Sequence, residues 1–338
     1  GILNVYSGDG GGYDGTGIVM YTDFRWGRLG GIVAGNSATF NEVSITSDTP
    51  GVVSFNGIEF TDTRDSDSNP ATVYNNEISN NYVHNNSRNG LMISGGTGDN
   101  LIYNNKIVDN QEYGISHSGT KWINASKNWW GTADSATVDD YTSGPVIYDP
   151  YYDSEEKNTL VHTKQIYNTS KDTGHDTIQA AIDFASAGDT IEVAAGEYTE
   201  QLLIRKNLVL RGAGEGNTFI KAPAGRAGTV SQVNKDGGTD TWDYIIGAYP
   251  ADGTINVKIE GFTIDADNQP KQAGTAGLIG VFLRDVNGAQ SGINSCTIQG
   301  FEQVEYESWG IRVYGGSSLT INDNTLTGYT RDGITVVG

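Results

Sequence analysis

The sequence predicts an all-β protein that winds as a right-handed parallel β-helix, a solenoid, with one short capping α-helix near residues 177-187. The first observation is a turn-rich composition, with 46 Gly and 18 Tyr but only 7 Pro among 338 residues. The second is a repeat, because Gly310 and Gly333 begin similar units 23 residues apart, as do Gly90 and Gly114 in the first half. The third is that each unit contains short alternating apolar runs broken by Asn or Gly. Repeats with three short strands per unit are typical of a β-helix.

Asn residues mark the predicted corners between strands. The segments 74–78, 103–107, 124–130, 292–298 and 321–326 each place an Asn between two apolar runs. Asn tolerates the left-handed backbone conformation of a tight corner, and its amide can bond to the Asn one coil away. We therefore expect a ladder of Asn side chains along the solenoid. Tyr74 and Tyr103 occupy the same place in this alignment, so we also expect their rings to stack.

The charge of the chain restricts its partners. A formal net charge of -20 disfavours nucleic acid and anionic membrane surfaces, which would repel it, and leaves cations and glycans as candidate partners. The sequence has no apolar run long enough to cross a bilayer, so we expect no membrane insertion of this segment. The chain begins with Gly, which suggests a trimmed or partial product. Cys296 lies in an alternating run, and we expect it to be a buried thiol.

Residues 176–198 have the pattern of a helix followed by the first strands of a solenoid. Asp176 is a candidate N-cap, Gln179 follows three residues later, and Gly188 is placed as the C-terminal stop. The helix would present Ile178, Ile182 and Ala185 on one face. Such a helix would cover the core and the strand edges at the open end of a solenoid.

Two segments resemble a known family. Residues 177–200 are similar to the first coil of NosD-like and pectin-methylesterase-like right-handed parallel β-helix proteins, which commonly read TIQxAIxxAxxGDTIxVxxGxYxE. Residues 125–152, which contain an Asn-Trp-Trp-Gly turn, resemble the closing segment of such helices in microbial cell-surface proteins. The resemblance implies a β-helix fold over nearly the whole chain, but only these two segments are specific.

The closing segment comes before the opening segment, so the order of the solenoid is inverted. We expect residues 1-152 to be the C-terminal-type half of a β-helix, 153-175 a linker, and 176-338 the N-terminal-type half. Joining residue 338 to residue 1 would give one complete solenoid, as expected for a tandem array cut in mid-solenoid. Two raw ends would then stack head to tail in an open filament. The candidate self-assembly residues are Ile2, Leu3, Val5, Ile334, Val336 and Val337.

An enzyme is the alternative, since β-helices also carry lyases, hydrolases and esterases. The run from Asp23 to Gly27 has the outline of the pectin-methylesterase strand whose Asp is the nucleophile. The second Asp and the Arg motif of that family are missing, and a lone carboxylate has no proton donor for the leaving alcohol. An Asp23 paired with a neighbouring Arg is the competing interpretation. The sequence therefore favours a non-enzymatic protein, with Asp23 as a weak catalytic candidate.

The loop at 60–70 supplies three carboxylates, Asp62, Asp65 and Asp67, at spacings that suit a hard cation. The Gly and the terminal Glu of an EF-hand loop are absent, so a structural Ca²⁺ site and simple solvation both remain open. We expect no other cofactor. The four histidines lie far apart and lack metal-ligand spacing. His117 is expected to be an exposed strand residue.

Three sequons, at Asn85, Asn124 and Asn168, are candidate glycosylation sites and would place the protein outside the cell. The sequence thus predicts an extracellular structural protein that stacks through open β-helix ends into a filament, sheath or surface array. Its partner would be itself, as a head-to-tail homopolymer or tandem array. A carbohydrate-active enzyme and a glycan-binding adhesin that use the solenoid groove remain as alternatives.

Overall fold

The structure is a computed structural model. It describes the backbone of five short strands between residues 18 and 74, the backbone of residues 96–98, and residues 77–86, 88–93, 100–233, 239–301 and 307–337. The chain divides into two compact units, Gly1–Thr163 and Lys164–Gly338. The segment 153–175, expected to be a linker, contains three strands that belong to one unit or the other.

Short strands dominate the first unit, because its apolar runs are two to four residues long and end at polar or Gly corners. Its described elements are β1 (Ile18–Tyr21), β2 (Ile32–Ala34), β3 (Ser37–Ala38), β4 (Ile58–Thr61), β5 (Thr72–Tyr74), β6 (Glu77–Ser79), β7 (Tyr82–His84), β8 (Leu91–Ile93), β9 (Gly96–Gly98), β10 (Leu101–Tyr103), β11 (Lys106–Val108), β12 (Ile115–His117), β13 (Ile123–Asn124), α1 (Ser135–Asp140), β14 (Thr142–Ser143), β15 (Val146–Ile147), β16 (Tyr151–Tyr152) and β17 (Leu160–Val161).

The coils of the first unit stack on one another in parallel. Two sheets run β1-β4-β8-β12-β14 and β3-β6-β10-β13-β15, and two shorter sheets contain β2-β5-β9 and β7-β11. Leu91 pairs with Ile115, and Ile78 pairs with Ile102, so side chains that point inward lie above one another. All four are buried in one apolar core. The core of this unit is therefore a stack of aliphatic side chains along the solenoid axis.

An Asn ladder follows one corner of these coils. The Nδ2 of Asn81 donates to Oδ1 of Asn105 at 2.8 Å, and the Nδ2 of Asn105 donates to Oδ1 of Asn128 at 3.0 Å. The backbone N–H groups of Asn81 and Asn105 donate to the same two oxygens, each at 2.9 Å. Amide rungs along this corner, as expected from the sequence, are thus confirmed for the described coils of this unit.

The register differs from the alignment made on sequence. Glu77 pairs with Leu101, which places Asn81 opposite Asn105, so the rung does not come from the segment 74–78. Tyr74 pairs with Gly98, whereas Tyr103 pairs with Ser79 in another sheet. The expected stack of the two tyrosines is therefore wrong. Loops of unequal length separate the strands, and a motif alignment without gaps cannot follow them.

Replacing Asn105 with Ala should destabilise the first unit by about 2–4 kcal/mol. The substitution leaves the buried backbone N–H and amide of Asn81 without their acceptor, and unsatisfied buried donors are costly. Urea unfolding followed by circular dichroism measures the effect. The exposed Asn158→Ala is the matched control and should change stability by less than about 0.5 kcal/mol. Equal losses for both variants would contradict a role for the ladder.

A short helix and a tyrosine close the first unit. Asp134 caps α1 by accepting from the backbone N–H of Thr137 at 3.0 Å, and Val138 is buried in the core. The hydroxyl of Tyr141 accepts from the backbone N–H of Asn110, which is itself the acceptor of a second Asn rung from Asn86 at 2.7 Å. A Tyr hydroxyl thus ends that ladder in place of a further Asn. The sequence analysis did not anticipate α1.

The second unit has longer strands, in keeping with its longer apolar runs. Its described elements are β18 (Ile166–Asn168), β19 (Thr173–His175), α2 (Ile178–Phe184), β20 (Asp189–Val193), β21 (Gly196–Thr199), β22 (Leu202–Ile204), β23 (Leu208–Gly212), β24 (Thr218–Lys221), β25 (Thr229–Val233), β26 (Thr239–Ala248), β27 (Val257–Glu260), β28 (Thr263–Asp265), β29 (Gly277–Arg284), β30 (Asn287–Asn294), β31 (Thr297–Gln299), β32 (Glu307–Tyr314), β33 (Ser318–Asn322), β34 (Thr325–Leu326) and β35 (Asp332–Val337).

Five described coils of three strands each make up the second unit. The three sheets run β20-β23-β27-β30-β33, β21-β24-β28-β31-β34 and β22-β26-β29-β32-β35, and every neighbouring pair in them is parallel. Ile191, Leu210, Ile259 and Ile293 follow one another at equivalent positions and are fully buried. The predicted inward stacking of aliphatic side chains is confirmed here.

The helix α2 caps the first coil of the second unit, as expected. Ile178, Ala181, Ile182 and Ala185 are buried against the core of the first coils. The carboxylate of Glu200 accepts from the backbone N–H groups of the first turn, which would otherwise lack partners. The cap therefore both covers the core and is held by the coil beneath it.

The N-cap of α2 is Thr177, which corrects the expected Asp176. The Thr177 hydroxyl accepts from the backbone N–H of Ala180 at 3.1 Å. Asp176 instead forms an exposed ion pair with Lys164 at 2.5 Å. The helix ends at Phe184 with Ala185 as its C-cap, and Gly188 lies three residues farther on with a φ of 96°. Gly188 therefore serves the turn into β20 and does not end the helix.

Acid should destabilise the second unit through His175. Burial lowers the pKa of His175 to about 4, so its ring is neutral in the folded state, whereas it takes up a proton near pH 6.5 when unfolded. A lowered folded pKa means that the contribution to stability is complete above pH 6.5. It is lost as the pH falls towards 4, by about 3 kcal/mol at most. Urea unfolding at pH 7 and pH 4.5 should show this loss, and His175→Leu should reduce it.

The exposed His162→Gln is the control for this prediction and should keep the full loss. Asp176 and Lys171 act on His175 in opposite senses and are weaker than burial. Phe184 packs beside the ring. A His175→Leu protein with the pH profile of the wild type would contradict this account.

An aromatic cluster covers the outer face of the sheet that contains β26, β29 and β32. The antiparallel strand β25 pairs with β26 at the edge of this cluster. The guanidinium of Arg312 lies between two indole rings, 4.0 Å from Trp242 and 4.2 Å from Trp309. Cation–π attraction takes the place of hydrogen bonds at the buried Nε and Nη1 atoms of Arg312. The members are Val230, Trp242, Tyr244, Tyr249, Ile279, Phe282, Trp309 and Tyr314.

Candidate functional site

The last described coil of the second unit, formed by β33, β34 and β35, exposes part of its core. Ile311 and Val313 on β32 point inward and are 0% and 5% exposed. Their neighbours in register on β35 are Ile334 and Val336, which are 47% and 72% exposed. The side chains occupy the same inward positions, so the difference is the absence of a covering coil among the described residues. We call the surface formed by β33, β34 and β35 the open coil.

The inward positions of the open coil carry no charge. Natural sheet edges are protected by inward charges, Pro, bulges or a covering segment, because an unpaired edge attracts other strands. Among the described strands, β33, β34 and β35 each pair on one side only, with β30, β31 and β32 respectively. The inward residues are the aliphatic Leu319, Ile321, Leu326, Ile334 and Val336. This surface has the composition of a core and the position of an edge.

Charged and hydroxyl groups surround the open coil on its outer side. Arg331 pairs with Glu307 and lies 3.7 Å from Asp332. The carboxylate of Asp332 accepts from the indole Nε1 of Trp309 at 3.2 Å and from the Thr335 hydroxyl at 3.2 Å. The contact with Glu307 raises the pKa of Arg331, so this group stays cationic. The outer side of β35 is therefore polar and internally paired, while its inner side is apolar and uncovered.

The corner between β33 and β34 holds an Asn whose amide is fully oriented. The Oδ1 of Asn324 accepts from the backbone N–H of Cys296 at 2.9 Å, and its Nδ2 donates to the carbonyl oxygen of Ile293 at 2.8 Å. Asp323 beside it has a φ of 55°, the left-handed conformation expected for an Asn or Asp at a tight corner. Asn324 is thus held in a fixed orientation on the open coil.

Several residues predicted as sites lie outside the described residues. They are the candidate stacking residues Ile2, Leu3 and Val5, the catalytic candidate Asp23, and the metal candidates Asp62, Asp65 and Asp67. The part of the chain that the structure describes holds no group of three His, Cys, Asp or Glu residues arranged for a metal ion. Of the predicted stacking residues, Ile334, Val336 and Val337 all lie on β35.

The three sequons differ in accessibility. Asn85 is exposed, with its Nδ2 bonded to His84 Nδ1 at 2.8 Å, and Asn124 is half-buried on β13. Asn168 is 0% exposed, and its Nδ2 donates to Asp189 Oδ2 at 2.8 Å. A glycan on the Asn168 nitrogen is incompatible with this packing, so the expectation for Asn168 is corrected. Asn85 and Asn124 stay as predictions.

Two side chains with potential chemistry are buried and inert. His117 is 3% exposed, with its ring nitrogens bonded to backbone groups of Ile93 and Lys121, which corrects the expected exposed position. Cys296 is fully buried, as expected, and burial raises its pKa to about 11. Its thiol is therefore protonated at neutral pH and is a poor nucleophile. Neither residue supports an enzyme.

A family comparison agrees with the coils of the first unit. Residues 13–149 match the model of the right-handed β-helix region family. This segment is a right-handed parallel β-helix. The parallel strands and few helices of both units are consistent with one all-β, right-handed β-helix fold. Comparisons with curated proteins and with solved structures find no match. None of the helices in the described parts of the β-helix is long and apolar enough to span a membrane.

Proposed function

We propose that this β-helix is an extracellular structural protein that joins end to end into a filament, sheath or surface array. The open coil is the joint, and the exposure of Ile334 and Val336 at inward core positions is the observation that carries the proposal. Burying an aliphatic side chain of this size contributes about 1.5–3 kcal/mol, so covering the open coil is strongly favourable. The accessible sequon at Asn85 supports an extracellular location.

The first unit of a second copy is the partner that fits the open coil. Both units contain a column of Gly residues where a Cβ would meet the carbonyl oxygen of the next coil. This distance is 2.7 Å from Gly90 to Gly114 and 2.6 Å from Gly310 to Gly333. Gly114 and Gly310 are each followed, 14 residues later, by a ladder Asn. Coils of the two units therefore share their corner spacing and can continue one another.

The two units also offer edges of opposite sense. In the second unit the sheets end on the C-terminal side at β33, β34 and β35. In the first unit the described sheets start at β1, β2 and β3 and continue towards the closed end at α1. A C-terminal edge requires an N-terminal edge as its continuation. Head-to-tail contacts of this kind do not close on themselves and generate open assemblies.

Electron microscopy and analytical ultracentrifugation of the purified chain test this proposal. The expected result is a set of fibres whose axial repeat corresponds to one 338-residue chain, with a critical concentration below which the particles dissociate. Discrete monomers over a wide range of concentration would contradict the proposal. A monomer whose open coil is covered by its own first unit would show the same sedimentation and would also contradict it.

A further inference from the structure

Asn324 makes the same contacts that build the Asn ladder of the first unit. In the first unit, Asn105 Oδ1 accepts from the backbone N–H of Asn81, and Asn105 Nδ2 donates to the carbonyl oxygen of Ile78 at 2.8 Å. Ile78 lies three residues before Asn81. The contacts of Asn324 with Cys296 and Ile293 have the same atoms, similar distances and the same three-residue spacing.

The ladder of the second unit has its Asn on the outermost described coil. Cys296 occupies the position that Asn81 has in the first unit, and its Sγ lies 3.3 Å from the carbonyl oxygen of Asn294. The amide of Asn81 makes the equivalent contact with Ser79 at 2.9 Å. A thiol is a weak donor and continues the ladder poorly towards the capped end. The next rung from Asn324 therefore belongs on the far side of the open coil.

A rung inside a ladder needs one more contact than Asn324 has. In the first unit both the backbone N–H and the Nδ2 of Asn105 donate to Oδ1 of Asn128, one coil farther on. Among the described residues, Asn324 has no such acceptor. The closed end of the first unit shows how a ladder is ended, because the Tyr141 hydroxyl serves as the acceptor for Asn110. The open coil has no equivalent hydroxyl on Asn324 in the described part of the chain.

We infer that Asn324 sets the register of the joint between two copies. Its backbone N–H and Nδ2 donate to the side-chain oxygen of an Asn on the first covering coil of the partner, which continues the ladder across the joint. This inference rests on the proposed end-to-end assembly. Apolar contacts alone tolerate sliding of one coil on the next, whereas an amide rung fits one register only.

Substitution at Asn324 tests the inference by the critical concentration and the axial order of the fibres. Asn324→Ala should raise the critical concentration about tenfold and blur the axial repeat, since two hydrogen bonds across the joint are lost. Asn324→Asp retains the acceptor for Cys296 but replaces the amide donor with an oxygen that repels the partner's Oδ1. It should weaken assembly at least as much as Asn324→Ala.

Asn322→Ala is the matched control, because this exposed Asn lies on the same corner and only its backbone oxygen takes part in a described hydrogen bond. It should assemble as the wild type does. Amide hydrogen exchange of β33 to β35 in a dissociated Asn324→Asp sample checks that the open coil stays folded. Wild-type critical concentration and axial repeat in both Asn324 variants, with an assembling wild type, would overturn this inference alone. A wild type that does not assemble would overturn the proposed function as well.

Discussion

Ile334→Lys and Val336→Lys should each abolish end-to-end assembly and leave the fold intact. Both side chains point into the core of the open coil, yet they are exposed enough that a Lys reaches water in the isolated chain. In the joint the same ammonium group would be desolvated between two apolar coils, which costs several kcal/mol. We expect the critical concentration to rise at least 100-fold, measured by sedimentation.

Leu101→Lys is the control for these variants. Leu101 is 46% exposed, almost the same as Ile334, but it lies on β10, which is paired on both edges with β6 and β13. A Lys at this position meets no joint, so assembly should match that of the wild type. Equal loss of assembly in Leu101→Lys and Val336→Lys would mean that surface charge acts non-specifically. Retained assembly in both β35 variants would show that the open coil is not the joint.

Arg226→Ala should cost about 3–5 kcal/mol of folding stability. The side chains of Arg226 and Asp243 are both 0% exposed, and the Arg226 Nη2 lies 2.7 Å from Asp243 Oδ2. The same guanidinium donates to the backbone oxygens of Pro223 and Pro270, so it ties two loops to β26. Removing it leaves a buried carboxylate without its counter-charge. Urea unfolding followed by Trp fluorescence should detect the loss, because Trp242 adjoins the pair in sequence.

An exposed ion pair provides the comparison. Arg88 and Glu112 are roughly half exposed and 3.2 Å apart, and Arg88→Ala should cost less than about 1 kcal/mol. The double variant Arg226→Met with Asp243→Leu should recover part of the loss of Arg226→Ala, since it removes both buried charges together. If Arg226→Ala and Arg88→Ala were equally mild, the two loops would not depend on the buried pair.

The features that follow from local physics were predictable from the sequence. The Gly column, the aliphatic stacks and the capping helix all depend on periodicity, and the structure contains them. Cys296 was expected to be buried from the alternation around it, and it is. The Asn corners were also recognisable, because few residue types adopt a left-handed backbone conformation.

The features that were missed depend on register and on long-range contacts. The ladder partner of Asn105 was misplaced, because loops of different length shift the strands between coils. Thr177 caps α2 because the chain enters from β19, which a motif starting at Asp176 does not reveal. His117 is buried by backbone carbonyls from other segments. The alternation of Trp242 with Tyr244, and of Trp309 with its neighbours on β32, was the available signal for the outer aromatic cluster.

The open coil itself was predicted only as a consequence of the inverted order of two segments. The structure adds the exposures of Ile334 and Val336 and the orientation of Asn324. Their counterparts on the first unit, Ile2, Leu3 and Val5, lie outside the described residues. The complementarity of the two edges therefore rests on the shared Gly and Asn columns.

An electron cryo-microscopy map of the assembled protein is the most direct test of the central claim. The account predicts that β35 pairs in parallel with a strand of a second copy, with Ile334 and Val336 buried beneath a coil whose Asn accepts from Asn324. A map in which the same chain's own loops seal the open coil, or in which β35 faces solvent within the assembly, would contradict it.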